Sequence, residues 1–186
     1  MIGFAMTGSH CTLSLALECL GSLTRRGYEV QPIMSENVYS TDTRFFCSEA
    51  LRARVEEITG RKIIHTVRDA EPLGPASPME ALVILPTTGN TLAKLASGIT
   101  DTAVTMAAKA HLRCDRPLLL AIASNDAMSQ NLQNVARVIT RRSVYLVPMR
   151  QDDPIGKPHS LVADFSRFDE CFDAMLRGEQ IRPLFV

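Results

Sequence analysis

The chain has no tryptophan, and only four of its 20 cationic residues are lysine, at Lys62, Lys94, Lys109 and Lys157. It also lacks an excess of either charge, with 20 Lys and Arg set against 20 Asp and Glu. Balanced charge gives no steering towards nucleic acid or an anionic membrane, so anion recognition must be local. The many arginines supply planar forks suited to carboxylates, phosphates and ion pairs. No apolar run approaches the roughly 18 residues of a membrane helix. The first residues lack the charged, apolar and cleavage regions of a signal peptide, and a cytoplasmic protein is expected. The cysteines (Cys11, Cys19, Cys47, Cys114 and Cys171) show no CxxC spacing. That pattern argues against a zinc site or a disulfide framework and for reduced thiols, mostly in the core. Cys11 is the one placed to react, in the first turn of an expected helix. His10, His65 and His111 have no spaced carboxylate or thiol partner, so no metal site is expected.

A chain of 186 residues is long enough for one domain that buries roughly 70% of its unfolded surface. Short apolar runs recur at 2–6, 29–34, 81–85, 117–123 and 144–148. Helical patterns separate most of them, at about 10–26, 43–59, 90–98, 101–113, 127–142 and 166–177. This alternation predicts a single α/β domain over 1–186, a three-layer, doubly wound parallel sheet of flavodoxin-like or Rossmann-like type. Gly27 and Gly60 are placed to end the first two helices. The stretch Ile63 to Val67 reads as a short extra strand, and the prolines of 71–78 force a loop. The polar, proline-containing break from Pro148 to Pro158 follows a strand, at the carboxyl edge where ligands bind. It reads equally as a surface loop and as a lid or subunit contact.

Two strand-to-helix junctions carry the functional signal. Ala81 to Leu85 runs into Pro86-Thr87-Thr88-Gly89-Asn90-Thr91 and then a helical stretch. Ile2 to Met6 runs into Thr7-Gly8-Ser9-His10. Hydroxyls, an amide and the free N–H groups of a helix start are what an anionic ligand or cofactor needs. Gly8 permits close backbone approach, although the full dinucleotide and P-loop spacings are absent. Ser35 and Asn37, after the second strand, face the same crevice in a doubly wound sheet; helix capping is the ordinary use of such a serine. Ser124-Asn125-Asp126 ends the fourth run. Asn125 suits a heterocycle edge, or else it or Asp126 caps the helix beginning near Ala127.

These segments resemble a known family. The GxxxTGS turn at 3–9, the PxSANT-like hexapeptide at 86–91 followed by LAKLASGITD, and a later strand ending in Asn125 are similar to the flavoproteins that include cysteine decarboxylases and prenyl-flavin synthases. The resemblance spans nearly the whole chain. It implies flavin mononucleotide held between subunits of a homotrimer-based oligomer. The implied cofactor-binding residues are Thr7, Gly8, Ser9, His10, Ser35, Asn37, Pro86, Thr87, Thr88, Asn90, Thr91, Ser124 and Asn125. The decarboxylases' PxMNxxMW clasp is not kept, since residues 122–129 hold its Asn but lack the Pro, the first Met and the Trp, and the chain has no Trp. His65 is also farther from Pro86 than the family's active-site His is from its hexapeptide. Decarboxylation of a cysteine-containing substrate is therefore disfavoured.

Gly8 to Cys11, Ser40 to Phe45, Ala70 to Pro75, Ser124 to Ala127 and Val147 to Pro154 resemble a narrower branch, the B subunits of dipicolinate synthases. That likeness implies the NAD(P)-binding A chain of such a synthase as partner, and oxidation of dihydrodipicolinate to dipicolinate in the mother cell of a spore-forming bacterium. Charge complementarity and placement in loops make Arg44 and Arg150 candidates for the two substrate carboxylates; surface ion pairs are their ordinary alternative. No catalytic residue is assigned. Two other functions stay open: a scaffold protein of the same complex that has lost flavin, and a flavin-dependent decarboxylase of another substrate.

Overall fold

In a computed structural model, which describes residues 1–186, the apolar runs form β1 (Ile2–Met6), β2 (Val30–Met34), β3 (Ala81–Thr87), β4 (Leu118–Ser124) and β5 (Val144–Leu146). Neighbouring strands pair in parallel in the order β2-β1-β3-β4-β5. This is the doubly wound, flavodoxin-like order, whose ligand crevice lies between the carboxyl ends of β1 and β3. Two short strands missed by periodicity, β6 (Met149–Arg150) and β7 (Leu161–Ala163), extend the sheet. They pair antiparallel with each other, and β7 pairs antiparallel with the last residues of β4.

Eight helices accompany the strands: α1 (Leu13–Arg25), α2 (Glu36–Ser40), α3 (Ser48–Thr59), α4 (Val67–Ala70), α5 (Gly89–Ser97), α6 (Ala103–Leu112), α7 (Leu132–Ile139) and α8 (Phe168–Leu176). Strand alternation sorts the core onto the two faces of the sheet. Ile2, Phe4 and Met6 of β1 join Val83, Leu85 and Leu119 in one cluster, which includes buried residues of α1, α3 and α8. Ala5, Leu82, Ile84, Leu118, Leu120 and Ile122 join the other, with residues of α5, α6 and α7. In α1 the buried Leu13, Ala16, Leu20 and Leu23 recur at helical spacing, so one stripe meets the sheet. Gly60 ends α3 in the left-handed conformation at φ 66°, as its cap position requires.

Three expectations are revised. The stretch 63–67 makes a single bridge, Ile64 to Ile33, and Val67 already opens α4. The helix expected at 127–142 shrinks to α7, because Asp126 folds the preceding residues into turns: its carbonyl accepts from the N–H groups of Ser129 and Asn131. Only Cys19 and Cys171 are core thiols, while Cys11 and Cys47 are exposed and Cys114 is half-buried. Burial pushes the thiols of Cys19 and Cys171 up to about 12, which keeps them neutral. No helix is long and apolar enough to cross a membrane.

Candidate functional site

The two junctions meet at the carboxyl ends of β1 and β3, and one side chain ties them. Thr7, fully buried, donates its hydroxyl to the Pro86 carbonyl at 2.8 Å and accepts from the Thr88 N–H at 3.0 Å. Thr88 in turn caps α5, its hydroxyl accepting from the Thr91 N–H at 3.3 Å and donating to the Thr91 hydroxyl at 3.0 Å. Thr88 thus fixes the helix start that opens onto the crevice. The turn after β1 is set independently, with the Ser9 carbonyl accepting from both the N–H and the hydroxyl of Thr12.

Above these turns lies a cleft of about 620 Å³, within the size range of cofactor sites. Gly8, Ser9, His10, Thr88, Asn90 and Asn125 line it, as the sequence predicts. Ser124 also reaches the cleft, but its hydroxyl already donates to Asp126. Thr7, Pro86 and Thr91 lie beneath as framework. Thr87 does not line the cleft; its buried hydroxyl donates to the Ile84 carbonyl at 2.7 Å. Asn37 is exposed beside the first turn, its Cβ 3.8 Å from where a side chain on Gly8 would begin.

Ser35 is the most informative of the predicted residues. It follows β2 and its N–H donates to the Met6 carbonyl at 3.0 Å, which sets it next to the end of β1. It occupies the N-cap of α2 without making a side-chain cap bond. Its hydroxyl oxygen is buried and has no partner. Such a group costs free energy unless a ligand or water satisfies it. An orphan hydroxyl beside a glycine-containing turn and a helix start fits the phosphate end of a flavin nucleotide.

The two arginine candidates separate. Arg44 lines the cleft, its guanidinium 4.8 Å from the ring centre of Phe45. Arg150 lies instead on β6, exposed beside a different groove lined by Leu15 and Ser166. Pairing of β6 with β7 carries it there, and periodicity gave no hint of those strands. Lys157 occupies the cleft wall in its place, 2.9 Å from Asp152, which holds its ammonium above the ordinary range. The sequence signal for Lys157 was the polar break at 148–158 itself, although no side chain within it stood out.

Asp126 organises the far side of the cleft. Its carboxylate accepts from the Ser124 hydroxyl and from the Asn131 amide at 2.8 Å. These bonds, the one from Ser124 first, hold its carboxyl below the usual carboxylate range. Because the pKa is depressed on folding, the stability it contributes is complete above the ordinary Asp pKa and disappears as pH falls through that value and below. Asp126→Asn is expected to remove this acid-side loss, seen as a flatter dependence of melting temperature on pH below about 4; a curve superimposable on the parent's would exclude the role.

His111 and His65 are structural in placement. His111 is buried, its Nε2 2.8 Å from the Pro117 carbonyl, and burial lowers its pKa. His65 stacks on Tyr39 at 3.6 Å between ring centres. No group of three or more His, Cys, Asp or Glu side chains is arranged to hold a metal.

The profile described as Flavoprotein matches residues 1–177. The chain belongs to the Flavoprotein family. Within that family it is 40% identical over 185 residues to the dipicolinate synthase B subunit of Bacillus subtilis (strain 168), covering 100% of this chain and 92% of that protein. The crystal structure of the dipicolinate synthase B subunit from Bacillus halodurans C superimposes with a TM-score of 0.91 at 38% identity, covering 100% of this chain and 95% of the other. The FMN-dependent cysteine decarboxylase SpaF shares the fold, with a TM-score of 0.67 at 21% identity over 95% of both chains. The Flavoprotein assignment supports a flavin cofactor.

Proposed function

We propose that this chain is the B component of a dipicolinate synthase, an FMN-binding flavoprotein. With the NAD(P)-binding A component it oxidises dihydrodipicolinate to dipicolinate during sporulation, in the mother-cell cytoplasm, as a trimer-based homo-oligomer. The observation that carries this reading is that Arg44 and Lys157, from two separate loops, line the same cleft as the flavin-type turns. A substrate with two carboxylates on a small ring needs two such cations, and a nucleotide cofactor needs the turns. The full-length likeness to the Bacillus subtilis protein supports the same assignment.

In this reading Ser9, Ser35 and the first N–H groups of α5 bind the nucleotide phosphate, and Asn125 meets the edge of the heterocycle with both a donor and an acceptor. Arg44 and Lys157 orient the substrate by its carboxylates. Bound flavin supplies a two-electron acceptor for oxidation of the dihydropyridine ring.

The test is reconstitution with FMN, followed by a dihydrodipicolinate dehydrogenation assay with and without the NAD(P)-binding component. The expected result is a flavin spectrum on the chain and activity only in the mixture. A colourless chain that takes up no flavin yet raises the activity of the NAD(P)-binding component would overturn the cofactor role and leave a scaffold. Arg44→Ala is expected to raise KM about tenfold or more, the scale of losing one charge-assisted hydrogen bond, with the flavin spectrum unchanged. Unaltered steady-state kinetics would remove Arg44 from the site. Ser35→Ala should instead weaken FMN uptake about tenfold while leaving the melting temperature of the flavin-free protein intact or higher, because the orphan hydroxyl is gone. Equal FMN affinity in a titration would count against the phosphate role.

A further inference from the structure

A second concavity, of about 420 Å³, lies at the opposite end of α5 from the cleft. The nine residues of α5 rise about 13 Å, so the two openings are separate. Leu95, Ile99 and Leu112 give this groove an apolar floor. Lys109 flanks it from α6, Arg113 from the C-cap of that helix, and Arg141 and Arg142 from the segment after α7. No acidic side chain lines it.

Helices α5, α6 and α7 all end near this groove, and helix C-termini attract cations. That attraction accounts for part of the cluster only. Arg141 donates to the Leu95 carbonyl at 3.1 Å, which satisfies the end of α5. Arg113 stands 4.0 Å from Glu71, at the limit of an ion pair. Lys109 and Arg142 have no hydrogen-bonding or ionic side-chain partner, and both are exposed. Two uncommitted cations, one on α6 and one after α7, beside an apolar floor match a ligand that carries negative charge at both ends of a flat apolar body.

We propose that this groove is a second ligand site, for a small organic dianion of the aromatic dicarboxylate class. The site is independent of the flavin reading, because none of its residues lines the cleft. Isophthalate titrated calorimetrically into the full chain at fixed ionic strength tests it, with benzoate and sulfate as single-carboxylate and non-apolar controls. The expected result is saturable isophthalate binding, with benzoate and sulfate at least about tenfold weaker. The double variant Lys109→Ala/Arg142→Ala should lose at least about tenfold in affinity, with flavin uptake and thermal melting unchanged. Arg44→Ala should bind isophthalate as the parent does. The proposal is overturned if isophthalate does not bind saturably, if benzoate or sulfate binds as tightly, or if the double variant binds like the parent. Loss of binding on Arg44→Ala places the ligand in the cleft and overturns it equally. Capture of an acidic protein that depends on Lys109 and Arg142, without isophthalate binding, makes the groove a protein contact instead.

Discussion

Gly89→Ala is expected to destabilise the protein by about 2–4 kcal/mol, from overpacking together with disturbed hydrogen bonds, and to abolish flavin uptake. Gly89 opens α5 at the point where the helix meets the far wall of the cleft. A Cβ there would sit 2.5 Å from the Ser124 hydroxyl and 2.7 Å from both the Asn131 amide nitrogen and an Asp126 carboxylate oxygen. Ends of side chains usually swing aside at little cost. These three cannot do so independently, since Ser124 and Asn131 both donate to Asp126, and the carbonyl oxygen of the Asn131 amide also accepts from Asn134 at 2.9 Å. Either the network breaks, leaving polar groups unsatisfied, or α5 withdraws and takes the Thr88 and Asn90 edge of the cleft with it. Alanine's better helix propensity, about 1 kcal/mol in a helix interior, is too small to offset this. For a chain of this size the melting temperature should fall by roughly 5–12 °C. Differential scanning calorimetry and an FMN titration on the same sample check both parts. A variant that melts within a degree or two of the parent and binds FMN normally would show that the cluster is soft and that the close packing at Gly89 has no role.

The legibility of this architecture in sequence follows from how far each signal extends along the chain. Five short, predominantly apolar runs between helical stripes specify a parallel sheet, because strands covered on both faces are apolar with little break, as in Val83-Ile84-Leu85. The strands β6 and β7 are two and three residues long and offer no periodicity to read. Their pairing with β4 and with each other decides that Arg150 leaves the site and that the loop carrying Lys157 returns to it. The turn residues were visible by type, but their individual duties were not. In the hexapeptide, Thr87 and Thr88 are chemically identical, yet one hydroxyl is spent on the Ile84 carbonyl and the other caps α5. The misplaced start of α7 has the same origin. Asn125 and Asp126 are ordinary cap residues, and only the contact with Asn131 reveals that Asp126 builds a turn first.

Thr7→Val is the second substitution with a large expected effect, because it deletes one hydroxyl that serves two backbone groups of the β3–α5 junction. The Pro86 carbonyl would lose its donor at 2.8 Å and the Thr88 N–H its acceptor at 3.0 Å. Thr7 and its bond to the Pro86 carbonyl are buried, so water has poor access to replace that bond, while the Thr88 N–H at the cleft edge is only partly shielded. Leaving both groups short costs about 1–3 kcal/mol each at the upper bound, and about 2–4 kcal/mol together once some relaxation is allowed. The effect on the cofactor follows from position. Thr7 belongs to the β1 turn and Thr88 starts α5, so the bond sets the separation of the two halves of the phosphate-binding edge. FMN affinity should fall at least about tenfold, the equivalent of 1.4 kcal/mol. Thr7→Ser keeps the hydroxyl and removes only a methyl group, and it should recover most of the FMN affinity and part of the stability. Amide exchange at Thr88 gives a readout that simple loss of packing would not produce, with faster exchange in Thr7→Val and near-parent exchange in Thr7→Ser. If the valine variant melts, exchanges and binds FMN as the parent does, the tie between β1 and β3 is not what shapes the cleft. If the serine variant, which keeps the hydroxyl, is impaired in all three measurements as much as the valine variant, the hydroxyl alone does not make the tie between β1 and β3.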